Sequence, residues 1–557
     1  MYNLNSLLKQ PRLALFWVLA IALIALLINL NGWSVVEASE ARYAEISREM
    51  FRSGDWLHPT LLNIRHYHKP PIVFWLTSLG FQLFGVNAFG ARFFLQLSVV
   101  AQGALTYGIA QRLFDNHRKA LLAALIYLSL PLSLIGARNL TTDCFLTTLV
   151  LATIYSMSAY YCQRQVWAIY SSALFIGLGF LTKGPAIFVV PFFFWIYLML
   201  ARKEDYRVPV KHLLIALLLC VGLGLSWYVM VSRQTPGLVD YFIGRQVVAR
   251  VSDDQAFDRS QPFWYYPLIL LTTSLPWCWF YFSSWFRPGY KLRKNALAKQ
   301  LSIYWLLLPF IIFALSSSKL MMYLLPLYPG IALVLASLLS EMPQPDIHRL
   351  TQGFFGFYEL LGGFLLIGAI IAQPLGLEIV VTWPMIAWTL MLLLIPPLVC
   401  LLVFQPELRL SMMAFLSVLV LAIYSSYFFQ ANELLIGGTR PLSQFIQSQG
   451  LQNQPVLVYN KLLPSLAFNL DRDIITLSDQ EADHFVEREY QFQPDERWQQ
   501  YWIYSNRSGA RTYLEELTRS PSTLVTRGKV PDRWDWLLDR YSNAEKIGRW
   551  TIHYRTD

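Results

Sequence analysis

Pro71-Ile72-Val73-Phe74-Trp75-Leu76-Thr77-Ser78-Leu79-Gly80-Phe81-Gln82-Leu83-Phe84 is the stretch on which the topology of this chain turns. It is apolar throughout, but a helix that crosses a bilayer needs about 20 such residues, and two prolines open this one. If it crosses, every later segment changes sides relative to the N-terminus. If it lies flat, residues 33–88 become one long loop on a single face.

Outward from this run, longer apolar stretches lie approximately at 13–31, 89–111, 119–136, 142–161, 166–182, 186–201, 212–232, 263–285, 300–316, 320–340, 353–373, 379–404 and 409–428. That is about 13 spans by length. The composition agrees: 55% of the 557 residues are hydrophobic and only 14% charged, which excludes an ordinary soluble globule. The first stretch, Leu13 to Leu30, is followed by Asn31-Gly32-Trp33 without a small-residue cleavage site, so it reads as a retained helix.

Charge orients the spans. Basic residues crowd three loops, Arg112 with His117, Arg118 and Lys119; Arg202 with Lys203, Arg207 and Lys211; and Arg287 with Lys291, Arg293, Lys294 and Lys299. Such loops stay cytoplasmic. With Lys9 and Arg12 also inside, the first basic loop returns to the cytoplasm only if 71–84 does not cross. The run is therefore expected to lie along the non-cytoplasmic interface, with the C-terminus outside. Other external segments are then Ala137–Thr141, Lys183–Pro185, Arg233–Pro262, Ser317–Lys319 and the tail from about Phe429. Several are basic, against the orienting rule, and cations on that side call for a task such as holding an anion. The net charge of +10 is thus accounted for by loops and anionic lipids, and no nucleic acid is expected as a partner.

From about Pro441 the pattern changes. Short apolar runs at Val456–Tyr459, Ile474–Leu477, Tyr501–Tyr504, Thr523–Val525 and Trp550–Tyr554 alternate with helical patterns at Thr512–Thr518 and Arg533–Arg540. This predicts a small α/β domain, giving a transmembrane domain over 1–428 and a soluble domain over 429–557. The tail carries no nucleotide-binding glycine fingerprint and no nucleophile elbow. The five cysteines, none in the tail, offer neither a disulfide framework nor a CxxC metal site.

The first external loop holds Glu40-Ala41-Arg42-Tyr43-Ala44-Glu45-Ile46, then Ser53-Gly54-Asp55-Trp56, then His66-Tyr67-His68-Lys69-Pro70-Pro71 with Trp75. Glu45 and Glu49 stand one helical turn apart, so the ordinary reading is an amphipathic juxtamembrane helix with a salt bridge to Arg42. His58, His66 and His68 have no diagnostic metal spacing, and no metal site is expected.

These motifs resemble the first external loop of bacterial GT-C glycosyltransferases, in particular the aminoarabinose transferases that modify lipid A, which are kin to protein O-mannosyltransferases. The resemblance continues in order through Ala137-Arg138-Asn139-Leu140-Thr141-Thr142-Asp143, Leu181-Thr182-Lys183-Gly184-Pro185, Gln261-Pro262-Phe263-Trp264-Tyr265-Tyr266 and Ser318-Lys319-Leu320-Met321-Met322-Tyr323-Leu324-Leu325-Pro326. It implies a GT-C fold of about 13 helices with an external C-terminal domain. It also implies transfer of aminoarabinose or a related sugar from a polyprenyl-phosphate carrier to lipid A or a similar acceptor, at the periplasmic face of the inner membrane and with no nucleotide. Lys69, Arg250 and Tyr323 match the positions that hold the lipid phosphate, with Arg42 and Tyr43 beside them. Asp143 matches the second acidic position and Glu40 is the nearest substitute for the first, and the resemblance implies that these two are the catalytic carboxylates. Relatives begin this loop with Asp-Glu where this chain has Ser39-Glu40, and often carry Glu where it has His68. Lys183 and Lys319 are further external cations, whose ordinary role is that of an interfacial anchor. A transferase acting on protein or another glycan is the alternative within enzymes. A flippase of lipid-linked sugars is the alternative outside them, although no internal repeat is found.

Overall fold

The run that decides the topology folds as a helix, Ile72–Phe84. At 1.5 Å per residue its 13 residues reach about 20 Å, short of the roughly 30 Å hydrocarbon core. Pro71 precedes it, and Gly85, with φ 78, ends it; that left-handed angle suits glycine. Its inner face, including Val73, Phe74 and Phe81, packs on a helix at Ser39–Ser53, while Leu79, Leu83 and Phe84 remain exposed. A Cβ on Gly80 would stand 2.1 Å from the carbonyl oxygen of Gly90, so only glycine admits this backbone contact.

The computed structural model describes residues 10–201, 208–248, 261–286, 295–316, 318–372, 374–376, 378–479 and 492–556. The chain divides into two compact units. One comprises Met1–Asn29, Phe94–Met230 and Val239–Phe428; the other comprises Leu30–Phe93, Val231–Leu238 and Phe429–Asp557. The loop after the first apolar stretch therefore belongs with the tail, although more than 330 residues separate Phe93 from Phe429, an association that no local pattern announces.

The first unit is helical. Among the described residues nine helices are long and apolar enough to cross a membrane, or ten if His117–Leu128 and Pro131–Ala137, bent by 60°, form one span. The expected count of about 13 is not confirmed, and four places account for the difference. Pro11–Leu27 is apolar but has only 17 residues. The stretches read as 166–182 and 186–201 run on from Trp167 to Leu200 through a tighter turn at Gly184–Phe188. The stretch read as 263–285 breaks into Tyr265–Thr272 and Trp277–Phe286 around Pro276, which has no N–H to continue a helix. The 119–136 span is likewise bent where Pro131 begins a new helix.

The second unit combines the loop and the tail. The helix Ser39–Ser53 has Glu40 in its first turn and ends at Gly54 with φ 73, both favourable placements. A two-residue turn, Leu62-Asn63, with φ 52 and 62, joins β1 (Thr60–Leu61) to β2 (Ile64–Arg65); left-handed angles at both positions match the twist of a hairpin. The tail forms a mixed sheet of β3 (Val456–Tyr459), β4 (Ile475–Ser478), β5 (Trp502–Tyr504), β6 (Thr523–Arg527), β7 (Asn543–Ile547) and β8 (Trp550–Tyr554), in the order β5-β4-β3-β6-β8-β7. The first four pair in parallel, and β6, β8 and β7 pair antiparallel. All four residues of β3 are buried, as a parallel strand covered on both faces requires. Five strands match the apolar runs. The sixth, β7, is polar and exposed along most of its length, as an edge strand is, and so lacks the signal that marked the others. Ile46, Met50, Leu61, Leu62 and Phe74 from the loop share one core with Val456, Val458, Leu466, Val525 and Ile552 from the tail. Burying a side chain such as Phe74 contributes about 1.5–3 kcal/mol.

Candidate functional site

In the second unit the loop residues are organised by Arg92, a residue the sequence reading passed over as part of a span. Its side chain is fully buried. Nε and Nη2 each donate to Glu40 at 2.8 Å, Nη1 to the carbonyls of Leu30 and Trp33 at 3.1 Å, and Nη2 to that of Ser34 at 2.8 Å. The guanidinium also lies 4.1 Å from the centre of the Trp33 ring. Glu40 further accepts the Val36 N–H at 3.0 Å. The candidate catalytic carboxylate at position 40 is thus the counter-ion of a buried arginine, a charge-assisted bidentate pair that closes the start of the loop. Ser39 beside it is exposed.

Glu45 and Glu49 do not bond Arg42 as expected for a surface helix. Glu45 takes both its oxygens to Arg48 at 2.8 Å, and Arg48 reaches Asp471 at 3.5 Å and Asp473 at 3.4 Å. Arg52 pairs with Asp471. Glu49 accepts the Asn63 N–H at 3.1 and 3.2 Å, which holds the hairpin turn. Burial first, and then the Glu45 charge, pushes the Glu49 pKa up to about 8; burial also raises Glu45, against Arg48. A further carboxylate, Glu37, accepts the Ser465 N–H at 2.7 Å. Its pKa is pushed up to about 7 by burial, opposed by the Ser465 bonds and Arg42.

These shifts make a pH prediction. A carboxyl whose pKa is raised on folding stabilises the folded state fully below its ordinary value of 4.5, and the contribution is lost as pH rises through about 8. Glu49→Gln is therefore expected to flatten the fall in unfolding temperature between about pH 5 and about pH 9, and to raise that temperature at about pH 9. Thermal unfolding of the two detergent-solubilised proteins across that range checks it; parallel curves would contradict it.

Arg42 and Lys69, the two loop cations assigned to phosphate, both act on His66. That imidazole is buried, and its pKa lies well below the ordinary value because of burial first and then the charges of Arg42 and Lys69. Arg42 and Lys69 are both half-buried. The His68 ring lies 5.6 Å from that of His66, edge to face, and the Tyr43 ring 5.8 Å from Phe74. Among the described residues no three His, Cys, Asp or Glu side chains come together as a metal-ligand set.

In the membrane unit, separate motifs converge. Asp143 stands in the first turn of the helix Thr142–Gln163, and Lys183 in the last turn of Trp167–Lys183, the ends that the helix dipoles favour for these charges. The two form an ion pair, with side chains only 9% and 8% exposed. The Lys183 ammonium also sits 4.0 Å from the centre of the Tyr323 ring. Tyr323 lies in the short helix Met321–Leu327, just after Leu320, whose N–H donates to the Tyr266 hydroxyl at 3.2 Å. Four sequence motifs thus meet here, those of Asp143, Lys183, Tyr266 and Tyr323. Arg138 is not the partner of Asp143, since it donates to the carbonyls of Leu26 at 2.9 Å and Ala422 at 2.8 Å. Lys319 is half-buried. Arg250 lies outside the described residues.

Comparison with known proteins adds to this geometry. Residues 68–227 match the family described as dolichyl-phosphate-mannose-protein mannosyltransferase. Over 369 residues, the chain is 31% identical to an undecaprenyl phosphate-alpha-4-amino-4-deoxy-L-arabinose arabinosyl transferase of Pectobacterium carotovorum, covering 65% of each protein. Over 371 residues it is 31% identical to a second such transferase from Pseudomonas fluorescens, covering 65% of this chain and 66% of the relative. The matched region thus spans a little under two thirds of these relatives. The crystal structure of ArnT from Cupriavidus metallidurans bound to undecaprenyl phosphate superposes with a TM-score of 0.75 at 20% identity, covering 97% of both chains. The chain is therefore a multi-pass membrane protein with the GT-C fold, and in sequence it resembles the bacterial aminoarabinose transferases.

Proposed function

We propose that this protein transfers aminoarabinose, or a closely related sugar, from undecaprenyl phosphate to a phosphate group of lipid A. The similarity over 369 residues to named undecaprenyl phosphate-aminoarabinose transferases is the observation that carries this reading. In the reaction the bond between the sugar's anomeric carbon and the carrier phosphate breaks. A bond from that carbon to an acceptor oxygen forms, and the carrier phosphate leaves with the electron pair. Expelling a phosphate needs fixed cations where charge grows. Lys69, Arg42, Lys183 and Tyr323 have the chemistry for it, with Arg250, Tyr43, Lys319 and His68 as further candidates.

A hydroxyl acceptor benefits from a base, yet position 39 carries serine and Glu40 is bound to Arg92. A phosphate acceptor is already ionised and needs none. We assign Asp143 to orienting the reacting groups and stabilising positive charge at the sugar. No metal is required in this scheme. The active side and the tail face the periplasm from the inner membrane, with Ile72–Phe84 at the interface through its exposed Leu79, Leu83 and Phe84.

The test is to give the purified protein radiolabelled undecaprenyl-phosphate aminoarabinose with lipid A, dephosphorylated lipid A or a hydroxyl-bearing peptide. Label is expected on lipid A alone. Transfer to the peptide would favour the protein-directed alternative, and transfer to dephosphorylated lipid A would refute the phosphate acceptor.

A further inference from the structure

The pairing of Lys183 with Asp143 gives two candidate residues a relationship that neither motif contains. Both side chains are nearly closed to solvent, so each charge depends on the other for compensation. Breaking such a pair without a replacement is strongly unfavourable. A replacement is what an anionic donor supplies. An ammonium is a compact charge with three donors and no fixed fork, so it can change partners without the geometric demands of a guanidinium. Here it rests on the face of Tyr323 as well, which keeps it partly compensated while partners exchange. Arg138, the other cation on this motif, is held by two backbone carbonyls.

We propose that Lys183 is a shared cation that couples donor binding to the release of Asp143. Without donor, its ammonium neutralises the Asp143 carboxylate. When a polyprenyl phosphate enters, a phosphate oxygen takes the ammonium, and the carboxylate is freed for the sugar and acceptor. Asp143 is thereby armed only when a donor is present. This rests on the proposed sugar transfer, and it makes Lys183 a positioning residue for Asp143 as well as a ligand of the phosphate.

The coupling predicts effects of opposite sign. Since Asp143 competes with phosphate for Lys183, Asp143→Asn is expected to tighten binding of undecaprenyl phosphate to the purified full-length protein by about three- to tenfold, by raising the fraction of protein ready to bind. The same variant lowers kcat. Lys183→Met is expected to weaken binding by about 30-fold, and Lys183→Arg to recover part of it. In the Lys183→Met background, Asp143→Asn no longer tightens binding. A merely structural ion pair predicts weaker binding in both single variants. Unchanged or weaker binding by Asp143→Asn, with wild-type unfolding temperature, overturns the coupling. So does tightening that persists without Lys183, because it would reflect simple repulsion between Asp143 and phosphate. Absence of any binding by the wild-type protein would instead overturn the donor reading beneath it.

Discussion

Arg92→Ala is expected to destabilise the unit built from the first loop and the tail by about 3–5 kcal/mol. The arginine makes five hydrogen bonds from a fully buried position. Removing it leaves Glu40 buried and uncompensated, together with three carbonyls that lose their donor. Lysine is a poor substitute, since it cannot serve both Glu40 oxygens and three carbonyls with one ammonium. Replacing both charges, as in Arg92→Met with Glu40→Leu, is expected to recover part of the loss, because a buried pair is less costly to remove whole than to halve. Thermal unfolding and limited proteolysis of the detergent-solubilised protein check this. A loss under about 1 kcal/mol in Arg92→Ala would show that the network does not hold the loop.

The second large effect is on chemistry. Lys69→Ala is expected to lower kcat/KM for sugar transfer by about 10²- to 10³-fold, the scale for loss of one group that stabilises developing negative charge. The reasons are its place immediately before the double proline, which fixes its backbone, and its electrostatic action on buried His66 together with Arg42. Lys69→Arg keeps the charge and is expected to retain more of the rate. An unchanged unfolding temperature separates this from a folding defect. Full activity in Lys69→Ala would remove it from the phosphate site.

The membrane character and the shortness of the helix Ile72–Phe84 were legible in the sequence because both rest on a local quantity, apolar length. A run of 14 residues behind two prolines has little choice but a short helix. The order of motifs was legible too, and the membrane unit brings those of Asp143, Lys183, Tyr266 and Tyr323 together. What stayed hidden is non-local. Glu40 and Arg92 are separated by 52 residues, and nothing near either announces the other. Arg48 meets Asp471 and Asp473 across more than 420 residues, so Glu45 read as a surface residue when it is buried. β7 escaped because an edge strand with exposed polar side chains carries no alternation. The count of about 13 spans stays unconfirmed in part because proline breaks or bends a continuous apolar run, as at Pro276 and Pro131, and hydropathy alone does not register a missing N–H.

The most direct test of sugar transfer from a lipid carrier is a single-turnover measurement with purified protein, doubly labelled undecaprenyl-phosphate aminoarabinose and lipid A in liposomes. The account predicts one undecaprenyl phosphate released for each sugar covalently attached to lipid A, with both signals rising together. Sugar that crosses the bilayer still joined to its carrier, with no product on lipid A, would contradict it.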